Sequence, residues 1–189
     1  MAKMTGMKWR IAMPEREPIR VVNLDTYGNE PMPWSRAHAA LDIQTNSDSE
    51  PGQRTTFLNT TRPDGRPHSA AVGALWYDGD FYFTSGPETR KSKNLAINPA
   101  GTIAAGLDGI DLVLEGAVER TTDSATFYTL ARIYRGGGWP VEVAGDAFTA
   151  EFSAPSAGPP PWNLYRFRVN RVFGVPTREP WGATRWDFA

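Results

Sequence analysis

The sequence predicts a mainly β protein, a barrel of short strands with two or three short helices added. Three observations carry that reading. Period-two alternation of apolar and polar residues begins at Thr55, Asp-Gly pairs recur as turns at Asp64-Gly65, Asp78-Gly79 and Asp108-Gly109, and helical spacing is confined to brief stretches. The 189 residues suffice for one domain with a proper core; at that size folding buries about 70% of the unfolded surface. With 40% hydrophobic and 12% aromatic residues, the chain falls among globular rather than disordered sequences.

Residues 1–52 read as an N-terminal extension in which Pro14, Pro18, Pro31, Pro33 and Pro51 interrupt long regular elements. Ser35 to Gln44 is expected as one short helix, capped by Ser35, with Trp34, Ala37 and Leu41 on one face. Trp9 and Trp34 are candidate anchors onto the core or a partner subunit, and Asn46 to Gly52 is a polar surface loop. Residues 53–189 form the barrel domain. Its first two hairpins turn at Arg62-Pro63-Asp64-Gly65 and at Asp78-Gly79, the latter joining Leu75-Trp76-Tyr77 to Phe81-Tyr82-Phe83. A short helix opens at the candidate cap Thr89 and stops at Asn98-Pro99.

Gly101 to Leu107 is the next strand. In Asp111 to Arg120, Leu112, Leu114, Gly116 and Val118 alternate with Val113, Glu115, Ala117 and Glu119, as in a barrel strand with one interior side. Thr122-Asp123 caps a helix whose Phe127, Leu130, Ala131 and Tyr134 recur at helical spacing until Gly136-Gly137-Gly138. Gly145 to Pro161 reads as a long connection. Trp162 to Arg168 and Arg171 to Val175 read as a closing β pair with a tight turn near Asn170.

Several function classes drop out early. A net charge of −1 argues against nucleic-acid or anionic-membrane partners. The absence of cysteine removes thiol chemistry and disulfides, and with only His38 and His68 no histidine-rich metal site can form. Asp108, Asp111 and Glu115 read as turn and rim residues, so no metal is expected. No apolar run approaches the roughly 20 residues of a membrane span, and a signal-peptide core is missing, so the expected address is cytoplasmic. Hydrolase, Walker, dinucleotide and paired-histidine zinc motifs are lacking.

The distinctive stretch is the helix after Ser85. Arg90, Lys91 and Lys93 fall in its first turn, where cations oppose the macrodipole and sit beside N–H groups without helical partners. Two readings stay open: an anion, most plausibly a phosphate, docks there, or the helix start is simply lysine-rich and solvated.

The ordered runs Arg62-Pro63-Asp64-Gly65-Arg66-Pro67-His68-Ser69, Leu75 to Ser85, Thr89-Arg90-Lys91-Ser92-Lys93-Asn94-Leu95 and Asn98-Pro99 resemble the pyridoxamine 5'-phosphate oxidase-like family. The close of the chain, Tyr165 to Val175 and Gly182 to Phe188, is similar to the Arg/Trp tail of its flavin or deazaflavin reductases of actinobacterial type. The resemblance implies a split β-barrel that holds FMN or the deazaflavin coenzyme F420, works as a homodimer, and transfers hydride to or from a small organic substrate. It implies phosphate contacts from Arg90, Lys91 and Lys93, with hydroxyls from Thr84 and Ser85. Ala70, Ala71, Val72 and Gly73 would let backbone approach the ring, or would simply suit barrel packing. His68 would be a general acid, or a strand histidine bonded to a neighbour.

Trp181 and Arg185 would bind substrate and Trp186 would stack on the cofactor, from the partner's tail or packed on their own barrel. On that view, truncation before Trp181 is expected to leave the fold intact. The alternatives are a pyridoxamine 5'-phosphate oxidase proper, or a carrier that holds flavin, deazaflavin or haem without turnover.

Overall fold

A computed structural model describes residues 16–46, 56–153 and 157–189, with the backbone alone at 43–46. Trp9, the polar loop expected beyond Asn46 and the proposed domain boundary lie outside the described residues.

The elements run β1 (Arg20–Asn23), α1 (Trp34–Asn46), β2 (Thr56–Thr61), β3 (Pro67–Val72), β4 (Leu75–Tyr77), β5 (Asp80–Ser85), α2 (Arg90–Ile97), β6 (Ala100–Leu107), β7 (Ile110–Thr121), α3 (Ser124–Gly136), β8 (Glu142–Ala144), β9 (Ala147–Thr149), β10 (Asn163–Pro176) and β11 (Thr184–Asp187). The chain is mainly β, as expected. One antiparallel sheet runs β1-β11-β10-β7-β6-β2-β3, with β5 added to β10 and β4 to β5. Local chemistry accounts for the turns. Asp78 at φ 51° and Gly79 at φ 77° take the left-handed conformation that a two-residue hairpin matching strand twist requires.

The closing β pair is corrected. Asn163–Pro176 is one strand, because β7 pairs with it from Leu164↔Thr121 to Pro176↔Ile110 and only a register shift between Val169 and Arg171 marks Asn170. Gly116 faces that bulge, and a Cβ there would collide with the Arg168 carbonyl oxygen. On its other edge β10 changes neighbour: Asn163 to Phe167 pair with β5, and Arg171 to Gly174 with β11. The long connection also contains structure, since Ala147–Thr149 within it pairs with Glu142–Ala144 just before it.

The barrel interior gathers Leu58, Phe81, Phe83, Ile103, Leu112, Leu114, Phe167 and Val172, closed by Trp34, Ala37 and Leu41 from α1. A side chain of this size contributes roughly 1.5 to 3 kcal/mol when fully buried. Tyr82 points the other way, into a second cluster with Phe127, Leu130, Phe148 and Trp162, so β5 is covered on both faces. That leaves α3 a packing element, as its spacing suggested.

Both ends of the chain are built into the sheet. β1 pairs with β11, and α1 shares the barrel core, so the described part of the extension belongs to the same hydrophobic unit. Ser35 does not cap α1, which already begins at Trp34, with the Arg36 amide donating to the Pro33 carbonyl. β11 lies between β1 and β10, and Trp186 on it is 0% exposed. The expectation that truncation before Trp181 leaves the fold intact is therefore overturned: it strips a strand from the sheet and a large ring from the core. Among the described residues no helix is long and apolar enough to cross a membrane.

Candidate functional site

The site is assembled where α2 packs on β2, at the β2–β3 hairpin end. Thr89 caps the helix, its hydroxyl accepting from the Ser92 amide at 3.3 Å. Around it Ser85 Oγ lies 2.7 Å from Thr89 Oγ1 and accepts from Ser92 Oγ at 2.9 Å. These hydroxyls serve one another. Ser85 is 0% exposed, so it anchors the helix start to β5 and offers no surface to a ligand, contrary to the phosphate role expected of it. Thr84, half-buried, pairs with Leu164 on β10.

The helix separates its cations. Its buried face is Lys91, Ser92, Asn94 and Leu95, while Arg90 and Lys93 are exposed. Lys93 is held by Glu88 at 2.8 Å in a surface ion pair, a kind of contact worth at most about 1 kcal/mol. Lys91, by contrast, is 4% exposed, and burial pushes its pKa below the usual lysine value. A cation in a helix's first turn opposes the macrodipole, and a bound anion there would offset that cost.

One residue turn along this face, Asn94 donates its side-chain amide to Thr60 Oγ1 at 2.9 Å. Thr60 pairs across the hairpin with His68, and its Oγ1 lies 3.4 Å from both His68 Nδ1 and the His68 carbonyl oxygen. With Asn94 donating into the hydroxyl, the hydroxyl proton is left for one of these two acceptors. The His68 pKa is pushed down, by burial first and then by the positive charges of Arg62, Lys91 and Arg90. The imidazole therefore favours its neutral form near neutral pH. A general acid drawing on a ready imidazolium is not what this environment supplies.

Arg62, Arg90, Lys91 and His68 thus share one electropositive corner. Arg62, in the sequence a turn residue, joins this corner through the hairpin register: counted back from Asp64-Gly65, Thr60 stands opposite His68 and Arg62 lies just beyond. From the corner, β3 runs as the sheet's edge strand, paired only with β2 among the described strands. His68, Ala70 and Val72 are half-buried on one face, whereas Ala71 and Gly73 are exposed. A Cβ built on Gly73 would meet nothing within 4 Å.

The tail residues lie elsewhere in the same chain. Trp186 packs edge-on against Trp34, with ring centroids 5.4 Å apart, and over Gly174, where a Cβ would come 2.7 Å from the indole. A fully enclosed ring cannot stack on a cofactor, which corrects its expected role. Arg185 sits on the outer sheet face with Nη2 donating to Asp187 at 3.2 Å. Trp181, 47% exposed, borders a separate cavity of about 650 Å³ with Arg36, Glu30 and Glu179. Arg36 donates to the carbonyls of Gly109, Arg178 and Pro180, so this cavity lies by the β6–β7 turn. That is the Thr56 end of β2, the opposite end from Thr60 and His68.

A family model described as pyridoxamine 5'-phosphate oxidase matches residues 47–175. Among solved structures, a pyridoxamine 5'-phosphate oxidase-related, FMN-binding protein of Nostoc punctiforme has a TM-score of 0.51 at 18% identity, covering 81% of this chain and 89% of that one. A NimC/NimA family protein of Clostridium acetobutylicum has a TM-score of 0.52 at 14% identity, covering 79% of this chain and 91% of that one. At such identities the likeness is one of fold. No curated protein matches the sequence.

Proposed function

The chain belongs to the pyridoxamine 5'-phosphate oxidase family, and from that premise we propose an oxidoreductase that binds FMN or the deazaflavin coenzyme F420 and moves hydride to or from a small organic substrate. The observation that carries the reading is that the buried face of α2, with Lys91 and Asn94, is tied through Thr60 to the strand pair that holds His68, with Arg62 two residues beyond Thr60. These residues suit a phosphate, which accepts charge-assisted hydrogen bonds from guanidinium and ammonium groups. Five steps along the chain, through the end of β3, separate His68 from the open Gly73, about 16 Å at the usual rise of a strand. That span suits a ligand with a phosphate at one end and a planar ring at the other.

When bound, a flavin or deazaflavin supplies the hydride chemistry. The chain's own residues bind and orient. Arg62, Arg90 and Lys91 hold the anionic end, Ala70 to Gly73 offer small side chains and an unpaired strand edge along the ring, and the Thr60–Asn94 bond keeps α2 and β3 in fixed relation.

A homodimer completes the proposal. Ala71, Phe57, Ala104, Val113 and Phe173 stand in register across five strands of the outer face, next to Arg185. Phe57 and Val113 are 43% and 42% exposed there. A second copy docked on this row would cover the apolar surface and carry its Arg185 and Trp181 toward the partner's site, as the substrate-binding role requires.

Fluorescence titration with FMN, F420 and riboflavin tests the reading. FMN or F420 binding at least tenfold tighter than riboflavin is expected, since charge-assisted bonds to phosphate contribute about 1.5 kcal/mol or more. Equal affinity for FMN and riboflavin would remove the phosphate site. Oxidation of the reduced cofactor that depends on added quinone-like or unsaturated acceptors separates the enzyme from a carrier.

A further inference from the structure

We propose that His68 is the proton-coupled member of this anion site: it takes a proton from solvent when a phosphate group settles among Arg62, Arg90 and Lys91, so that anion binding and imidazole protonation favour each other. The inference rests on reading the cluster as a phosphate site.

Geometry makes the coupling direct. Thr60 and His68 are register partners, Asn94 ties α2 to Thr60 at 2.9 Å, and Lys91 sits one turn before Asn94 on the same buried face. The neutral Thr60 touches His68, Asn94 backs Thr60, and the charges that act on the imidazole are the cations Arg62, Lys91 and Arg90. Neighbouring carboxylates are engaged elsewhere: Asp64 by Arg66 at 2.7 Å, and Glu88 by Lys93 at 2.8 Å. With no anion bound, burial disfavours the imidazolium first, and the positive charges of the corner add to that. A dianion among the three cations reverses the sign of the local field.

The hydrogen bonding can follow the charge. In the imidazolium Nδ1 donates toward Thr60 Oγ1, and the hydroxyl proton goes to the His68 carbonyl, which lies at the same 3.4 Å. No buried donor is stranded. By reciprocity, the anion binds more tightly wherever His68 can be protonated.

Inorganic sulfate is the probe, because its charge is constant across the range whereas a phosphate monoester itself titrates near pH 6. The chain has only His38 and His68, so each imidazole can be followed by NMR, with His38 as the internal reference. Saturating sulfate is expected to move the His68 titration to higher pH and leave His38 in place. Sulfate should bind about tenfold tighter near pH 5.5 than near pH 8, and calorimetry in buffers of different ionisation enthalpy should register proton uptake that His68→Gln abolishes. Sulfate binding with no movement of the His68 titration, or with the same uptake in His68→Gln, overturns this inference alone. No binding of sulfate or of FMN at any pH overturns it together with the phosphate site.

Discussion

The Asn94 side chain donates to Thr60 Oγ1 across 2.9 Å, with the two residues 0% and 4% exposed, and this one bond locks α2 to the strand opposite His68. Thr60→Val keeps the shape and deletes the acceptor, leaving the Asn94 amide buried and unpaired. The expected cost is about 1 to 3 kcal/mol in chemical denaturation, with weaker FMN binding as α2 loosens. Unchanged stability would show that solvent reaches this contact.

Cations of the corner should differ sharply from the cation outside it. Arg62→Ala is expected to weaken FMN binding tenfold or more while leaving riboflavin binding nearly unchanged, following the roughly 1.5 to 3 kcal/mol of a charge-assisted bond. Lys93→Ala removes only a surface pair with Glu88 and should change FMN affinity less than about threefold. The reverse order, measured by fluorescence titration, would move the site to the exposed face of α2.

Lys91 should matter to phosphate-dependent binding. Lys91→Met, which keeps a long buried side chain and removes its charge, is expected to weaken FMN binding tenfold or more while leaving riboflavin binding nearly unchanged. A variant that is both less stable and normal in binding would assign Lys91 a purely structural part.

His68 also predicts the sign of a pH effect. Its folded-state pKa lies below the unfolded value of about 6.5, so between the two the unfolded chain holds more protons and stability rises with pH. Without anion, stability should fall as the solution is acidified from about pH 6.5 down through the lowered folded value. Thermal melts of His68→Gln should lack this component, and an identical acid profile in both chains would contradict it.

The tail gives a contrast within six residues. Trp186→Ala empties a fully buried site and should cost about 3 to 5 kcal/mol. Trp181→Ala, at a half-exposed ring, should leave the melting temperature within about 2 °C. Val113→Glu on the outer face should convert a homodimer to monomer by light scattering. A Val113→Glu chain with unaltered mass would place any dimer on another surface.

What the sequence determined by itself was local: the Asp-Gly turns, the Thr89 and Asp123 caps, and the alternation that sends Leu112, Leu114 and Val118 inward. Each is decided within a few residues by φ preference, orphan N–H groups or strand period. Tertiary structure alone decided that β10 runs unbroken past Asn170 while exchanging β5 for β11, that Trp186 fills the core, and that Lys91 rather than Lys93 turns into the basic corner beside Arg62. Those outcomes depend on partners tens of residues away: a strand edge accepts whichever neighbour the barrel brings to it, and a helical cation becomes buried or solvated according to the sheet its helix meets.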